Sequence, residues 1–130
     1  MSDAEARLVG GLVRDPELKF TNKGLAVASF SVAVNRKKGE DDVTSYFDCT
    51  AFGSVAENVA NSFKKGDRVI LFGTLTQDRW ETEAGDKRSK VVVLIDAIGS
   101  EVRFGTTTYT KNAPKGEKNA PTLLADESPF

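Results

Sequence analysis

The 130-residue sequence has no histidine and a single cysteine. Without imidazole there is no nucleophile–His pair and no His-bearing zinc site, and one thiol completes neither a Cys-only metal site nor an internal disulfide. No apolar run approaches the ~20 residues of a membrane span, and Met1-Ser-Asp-Ala-Glu5 is no signal peptide. An excess of one charge sign is also missing: 18 Lys and Arg stand against 19 Asp and Glu, a net charge of −1. That balance does not advertise a nucleic-acid binder, which usually shows a basic excess. The acidic run Glu40-Asp41-Asp42 lacks the alternating spacing of a calcium loop and reads as a solvated loop. These absences argue against an enzyme and imply no cofactor or metal.

What is present suits one domain with a tail. Hydrophobic residues make up 39% and charged residues 28% of the chain, a soluble globular balance. The most informative stretch is Val43–Phe52. Strand side chains alternate between faces, so Val43, Phe47, Cys49 and Ala51 share an apolar face that can enter a core. Cys49 on such a face fits a reducing cytosol, and the chain is expected in the cytoplasm. Thr44, Tyr46, Asp48, Thr50 and Phe52 share the other face, where two rings sit among polar neighbours. A bare ring forgoes roughly 1.5–3 kcal/mol of burial. Either a loop or second subunit covers Tyr46 and Phe52, or a ligand does.

Along the chain, Ala6–Val13 reads as a first strand, with Gly10 and Gly11 marking a bulge or a close backbone approach. Asp15-Pro16 starts a turn, Leu18–Phe20 resumes briefly, and Thr21–Gly24 is a turn. Leu25–Val34 forms the second strand, a polar loop spans Asn35–Asp42, and Val43–Phe52 is the third strand. Helical spacing occurs once. Ser54 and Glu57 suit a capping box, Val55, Val59 and Phe63 a buried stripe, and Gly66 a C′ stop behind Lys64 and Lys65, about three turns in all. Arg68–Trp80, a hairpin loop over 81–86, and Lys87 to about Phe104 complete the pattern. Val91–Ile95 is apolar on both faces and therefore central or at a subunit contact. Five strands with one helix between the third and fourth is the layout of an OB-fold, a Greek-key barrel, covering 1–104. Other small β-barrels share the pattern.

From Gly105 onward the composition is too polar to offset the entropy of ordering, so 105–130 is expected to be a disordered tail. It ends in Asp126, Glu127, Pro129 and Phe130. That end is either incidental or a linear peptide whose ring and carboxylate enter a basic-rimmed pocket on a partner.

Several segments together resemble the bacterial single-stranded DNA-binding protein family, over roughly residues 5–104. They are Gly10–Glu17, Ala26–Phe30, Ala56-Glu-Asn-Val-Ala60, Lys65–Val69 and Gly73-Thr-Leu75 through Trp80. The Ala-Glu-Asn-Val-Ala helix is most similar to actinobacterial members or to phages that infect them. The resemblance implies an OB-fold homotetramer that wraps single-stranded DNA without sequence choice in replication, recombination and repair. It implies a cytoplasmic, nucleoid-associated location, or the host cytoplasm for a phage protein. It also implies no catalysis and no required metal. Tyr46, Phe52 and Trp80 match stacking aromatics, and Lys65 and Arg79 match basic positions that touch phosphate. The tip residues Asp126, Glu127, Pro129 and Phe130 would dock replication and repair proteins.

There are departures from the family pattern. Arg36, Lys37 and Lys38 stand where many relatives place a tryptophan, and would add phosphate contacts from a flanking loop. Asp48, Thr76 and Asp78 stand where arginines are common, which implies weaker or more salt-sensitive binding. Read without the resemblance, the residues also allow a protein–protein adaptor or an RNA-binding module, and Trp80 is as compatible with packing as with a ligand. Stacking suits single strands in any case. Every base has a π-face, each stack is worth about 1–3 kcal/mol, and a duplex hides those faces.

Overall fold

A computed structural model of the chain describes residues 3–113. The elements run β1 (Glu5–Leu12), β2 (Glu17–Phe20), β3 (Ala26–Lys38), β4 (Asp41–Phe52), α1 (Ser54–Ser62), β5 (Arg68–Glu81) and β6 (Lys87–Ser100). The sheet order is β1-β5-β6-β4-β3-β2, and an additional β1–β3 pairing closes five of the strands into a barrel. The short β2 occupies the same edge of β3 as β1, further along it (Leu18 opposite Ala28, Leu12 opposite Val32). This is the expected OB-type layout, with the helix between β4 and β5. The apolar run Val91–Ile95 lies centrally, between β5 and β4. Gly10 marks the close approach read from sequence, since a Cβ there would collide with the Ala33 carbonyl where β1 meets β3.

Alternation fills the interior. Leu8, Leu12, Phe30, Val32, Cys49, Ala51, Val69, Leu71 and Val93 form the core, and Ala56, Val59 and Phe63 from the helical segment join it. Each large side chain buried here is worth roughly 1.5–3 kcal/mol of transfer free energy. The helix packs against β2, β3 and β4.

Local expectations fail in four places. The polar stretch 35–42 is no loop: β3 and β4 continue as a paired ribbon to Lys38 and Asp41. They turn at Gly39, which takes φ 65. The ribbon is solvated on both sides, so it carries none of the apolar alternation that marks a strand. The capping box does not form. Phe52 is still strand, and Gly53 makes the whole turn into the helix with φ 68, so Ser54 is already helical and makes no capping bond. The Glu57 N–H instead donates to the Gly53 carbonyl at 3.2 Å.

The helix is also shorter than expected, at nine residues or about two and a half turns. Phe63 leaves it in an extended conformation to reach the core, so Gly66 is not the C′ residue. Gly66 serves a separate turn, where Lys64 N–H donates to the Asp67 carboxylate at 2.9 Å and Gly66 N–H to the Leu12 carbonyl at 2.9 Å. Ala56, rather than the exposed Val55, completes the buried stripe. Finally, β6 stops at Ser100 rather than near Phe104. Glu101 there accepts bonds from Arg68 Nε (2.8 Å) and the Arg103 N–H (3.1 Å), which turn the chain off the sheet. Residues 105–113 have no helix or strand; Asn112 donates to Asn58 on α1 at 2.9 Å. The tip Asp126, Glu127, Pro129 and Phe130 lies outside the described residues.

Candidate nucleic-acid interface

Directly paired residues in neighbouring strands point to the same side of a sheet. The register therefore maps the outer face row by row. Phe52 lines up with Val27 and Lys19. The next row is Glu17, Ser29, Thr50, Leu94 and Thr74. Then come Ser31, Asp48, Val92 and Thr76. Beyond these lie Tyr46 opposite Ala33 and, on the other hairpin, Lys90 opposite Asp78 and Arg88 opposite Trp80.

All three expected stacking rings are bare on this face: Tyr46 is 66% exposed, Phe52 46% and Trp80 47%. Tyr46 and Phe52 sit six residues apart on β4, about 20 Å at strand rise, so the face is long enough for several nucleotides. Tyr46 and Phe52 belong to the barrel wall, whereas Trp80 stands on the β5–β6 ribbon.

The expected cations are less concentrated. Lys37 shares the Tyr46 face, but its ammonium lies 3.3 Å from the Asp42 carboxylate. Arg36 and Lys38 alternate to the opposite side of the ribbon, paired with Val43 and Asp41. Arg79 likewise points away from Trp80's side and donates to Gln77 Oε1 at 2.9 Å. Lys65 is exposed on the turn after the helix, and its backbone N–H donates to Asp15 Oδ1 at 2.8 Å. Asp15 adjoins Arg14, which does reach the face.

Between the rings runs a groove of about 290 Å³, lined by residues that include Arg14, Ser29, Ser31, Asp48, Asp78 and Lys90, with Val92 at its base. The Ser31 hydroxyl donates to Asp48 Oδ1 at 2.7 Å, and Lys90 Nζ donates to Asp48 Oδ2 at 3.4 Å. The Ser31 bond above all holds the Asp48 carboxyl below its usual range; Lys90 and Arg14 add to this, against partial burial. On the core side, burial pushes the Cys49 thiol up to about 12, with the Asp48 charge adding to the effect. That thiol is a packing group, not a nucleophile.

Among the described residues, no group of three or more His, Cys, Asp or Glu side chains could hold a metal ion, and no helix is long and apolar enough to cross a membrane. Sequence reasoning missed Arg14, Lys19, Ser31 and Lys90 as residues of this face. Lys87, Arg88 and Lys90 form a basic cluster in the sequence. The position of Lys90 opposite Asp78 and beside Asp48 needed the strand register.

Comparison with known proteins agrees with this geometry. The model of the single-strand binding protein family matches residues 4–104. The chain is 40% identical over 121 residues to the single-stranded DNA-binding protein of Mycolicibacterium smegmatis, covering 88% of this chain and 73% of that one. It is 40% identical over 121 residues to the Mycobacterium leprae protein of the same name, covering 88% and 72%. With single-stranded DNA-binding protein 2 of Streptomyces coelicolor the identity is 39% over 116 residues, covering 84% and 58%. A five-strand barrel with bare rings along one wall, matched over nearly all of its length, belongs to the single-strand binding protein family.

Proposed function

We propose that this protein binds single-stranded DNA without sequence preference and protects it during replication, recombination and repair. Bases would stack on Phe52, Tyr46 and Trp80, while Lys37, Lys65, Arg88 and Lys19 supply phosphate contacts near or along the face. The observation that carries this reading is the exposure of all three rings on one continuous outer face. Stacking contributes about 1–3 kcal/mol per base and tolerates any base, and the phosphate contribution weakens as salt rises. No step of this function requires catalysis.

Titration of Trp80 emission with dT oligomers tests it directly. Strong quenching by dT, little by duplex of equal length, and weakening with salt are expected. No quenching by dT, with a response to a protein partner instead, would favour the adaptor reading. Competition between dT and rU separates DNA from RNA binding.

Assembly into a homotetramer belongs to the same proposal. Phe72 is 51% exposed on the outer face of β5, opposite Ala97 and Arg7, with Val9 and Ile70 two pairs further along on the same face. A patch of this kind on a single chain favours burial against another copy. Sedimentation of the chain against a Phe72→Asp variant checks it. Recruitment of replication and repair proteins through Asp126, Glu127, Pro129 and Phe130 completes the reading. Deleting 126–130 is expected to leave DNA affinity intact and abolish partner capture.

A further inference from the structure

We infer that Lys90 is a masked phosphate site, its charge held by Asp48 in the middle of the groove until a nucleic-acid phosphate displaces that carboxylate; this inference rests on the single-strand reading above. Lys90 pairs across the ribbon with Asp78, and its ammonium lies 3.4 Å from Asp48 Oδ2. The pair is about half exposed, with side-chain exposures of 51% for Lys90 and 49% for Asp48. It is therefore open to an incoming ligand. Asp48 is itself anchored, because the Ser31 hydroxyl donates to its other oxygen at 2.7 Å from the neighbouring strand.

The acid is thus the fixed member and the lysine the movable one. The Asp48 carboxylate occupies the position at Lys90 that a phosphate would take, and Asp78, opposite Lys90 in register, adds a second negative charge to the groove lining. Arg14 and Lys90 against Asp48 and Asp78 leave the groove with no net charge between its ringed ends. A phosphate arriving there must replace a carboxylate rather than a loosely held counterion. The lysine then contributes little to net affinity and little to the salt dependence.

The physical consequence separates this arrangement from a plain missing cation. Replacing Asp48 by its isosteric amide keeps an acceptor for Ser31 but removes the competing charge. Lys90 then becomes a free cation, able to neutralise one more phosphate and release the cation condensed on it. For single strands, each such contact steepens the slope of log K against log salt by about 0.7.

The test uses the full chain, dT oligomers and fluorescence anisotropy at several salt concentrations. Asp48→Asn is expected to tighten dT binding roughly three- to ten-fold at low salt, the scale of half-exposed charge pairs. It is also expected to steepen the salt slope by about 0.7. Lys90→Gln is expected to change wild-type affinity by less than about two-fold, yet to cancel the gain when combined with Asp48→Asn. That coupling is a readout a merely structural role would not move, and thermal melting of each variant verifies folding.

Unchanged or weaker dT binding by a folded Asp48→Asn variant would overturn the inference. So would a gain that survives Lys90→Gln, which is bulk repulsion, or a loss confined to dC and dA, which is reading of base amino groups. A ten-fold loss from Lys90→Gln in the wild-type background would overturn it without the aspartate variant. If no protein binds any single strand, the broader reading fails and this one fails with it.

Discussion

Two ribbons rise from the same barrel and differ in what they present. In each, paired strands continue past the wall as a two-stranded arm: β3–β4 from about Asn35 to Thr44, and β5–β6 from about Gln77 to Lys90. The first arm displays charges that are largely answered on the spot, Lys37 by Asp42 at 3.3 Å and Lys38 opposite Asp41. The second displays Trp80, 47% exposed, beside Arg88. The backbone device is the same, and it costs little hydrophobic burial to build because neither arm has a core. Chemistry on an arm is therefore free to vary with function, while the wall beneath must keep its inner alternation.

The sharpest way to break the comparison is to remove the ring. Trp80→Ala is expected to weaken dT binding about ten-fold or more, the effect of losing one stack, with melting unchanged because the ring supports no core. Phe52→Ala on the wall is expected to weaken binding similarly, as seen by anisotropy. Equal binding in either variant would remove that ring from the interface.

The first arm is expected to matter less. Changing Arg36, Lys37 and Lys38 together to Gln is expected to lower affinity a few-fold and flatten the salt slope by about 0.7 for each phosphate contact actually lost. Since only Lys37 shares the Tyr46 face, a change near one contact is expected rather than three. On the second arm, Arg88→Gln is expected to cost more than Arg79→Gln, because Arg88 shares Trp80's face and Arg79 does not. The reverse order would mean that the strand wraps behind the ribbon.

The smallest effect lies between the arms. Asp48 is held below its ordinary 3.8, so its contribution to stability is present above that value and fades as pH falls through the lower folded value. The melting difference between wild type and Asp48→Asn is expected to be constant near neutral pH and to change only below about 3.8. It is expected to be small, since the ion pair is half exposed.

Alternation along Val43–Phe52 and Leu25–Val34 was legible without coordinates, because burying one face of a strand leaves a period of two in the chain. Cys49, Ala51, Phe30 and Val32 lie in the core as that period requires, and Tyr46 and Phe52 lie outside. The ends of elements were less legible. Ser54 and Glu57 have the residue types of a capping box, yet the tight turn at Gly53 starts the helix a residue early. The arm over 35–42 hid its strands, since a ribbon wet on both sides has no apolar face to reveal it.

The amino-acid order by itself determined the barrel class, the inward and outward sides of its strands, and the two rings, Tyr46 and Phe52, on the outward side of β4. These depend on local periodicity and on how much apolar surface each segment can bury. Only the tertiary structure decided which charges meet. Asp48, Ser31 and Lys90 come from three different strands, and a one-residue change of register would have sent any of them to the opposite side.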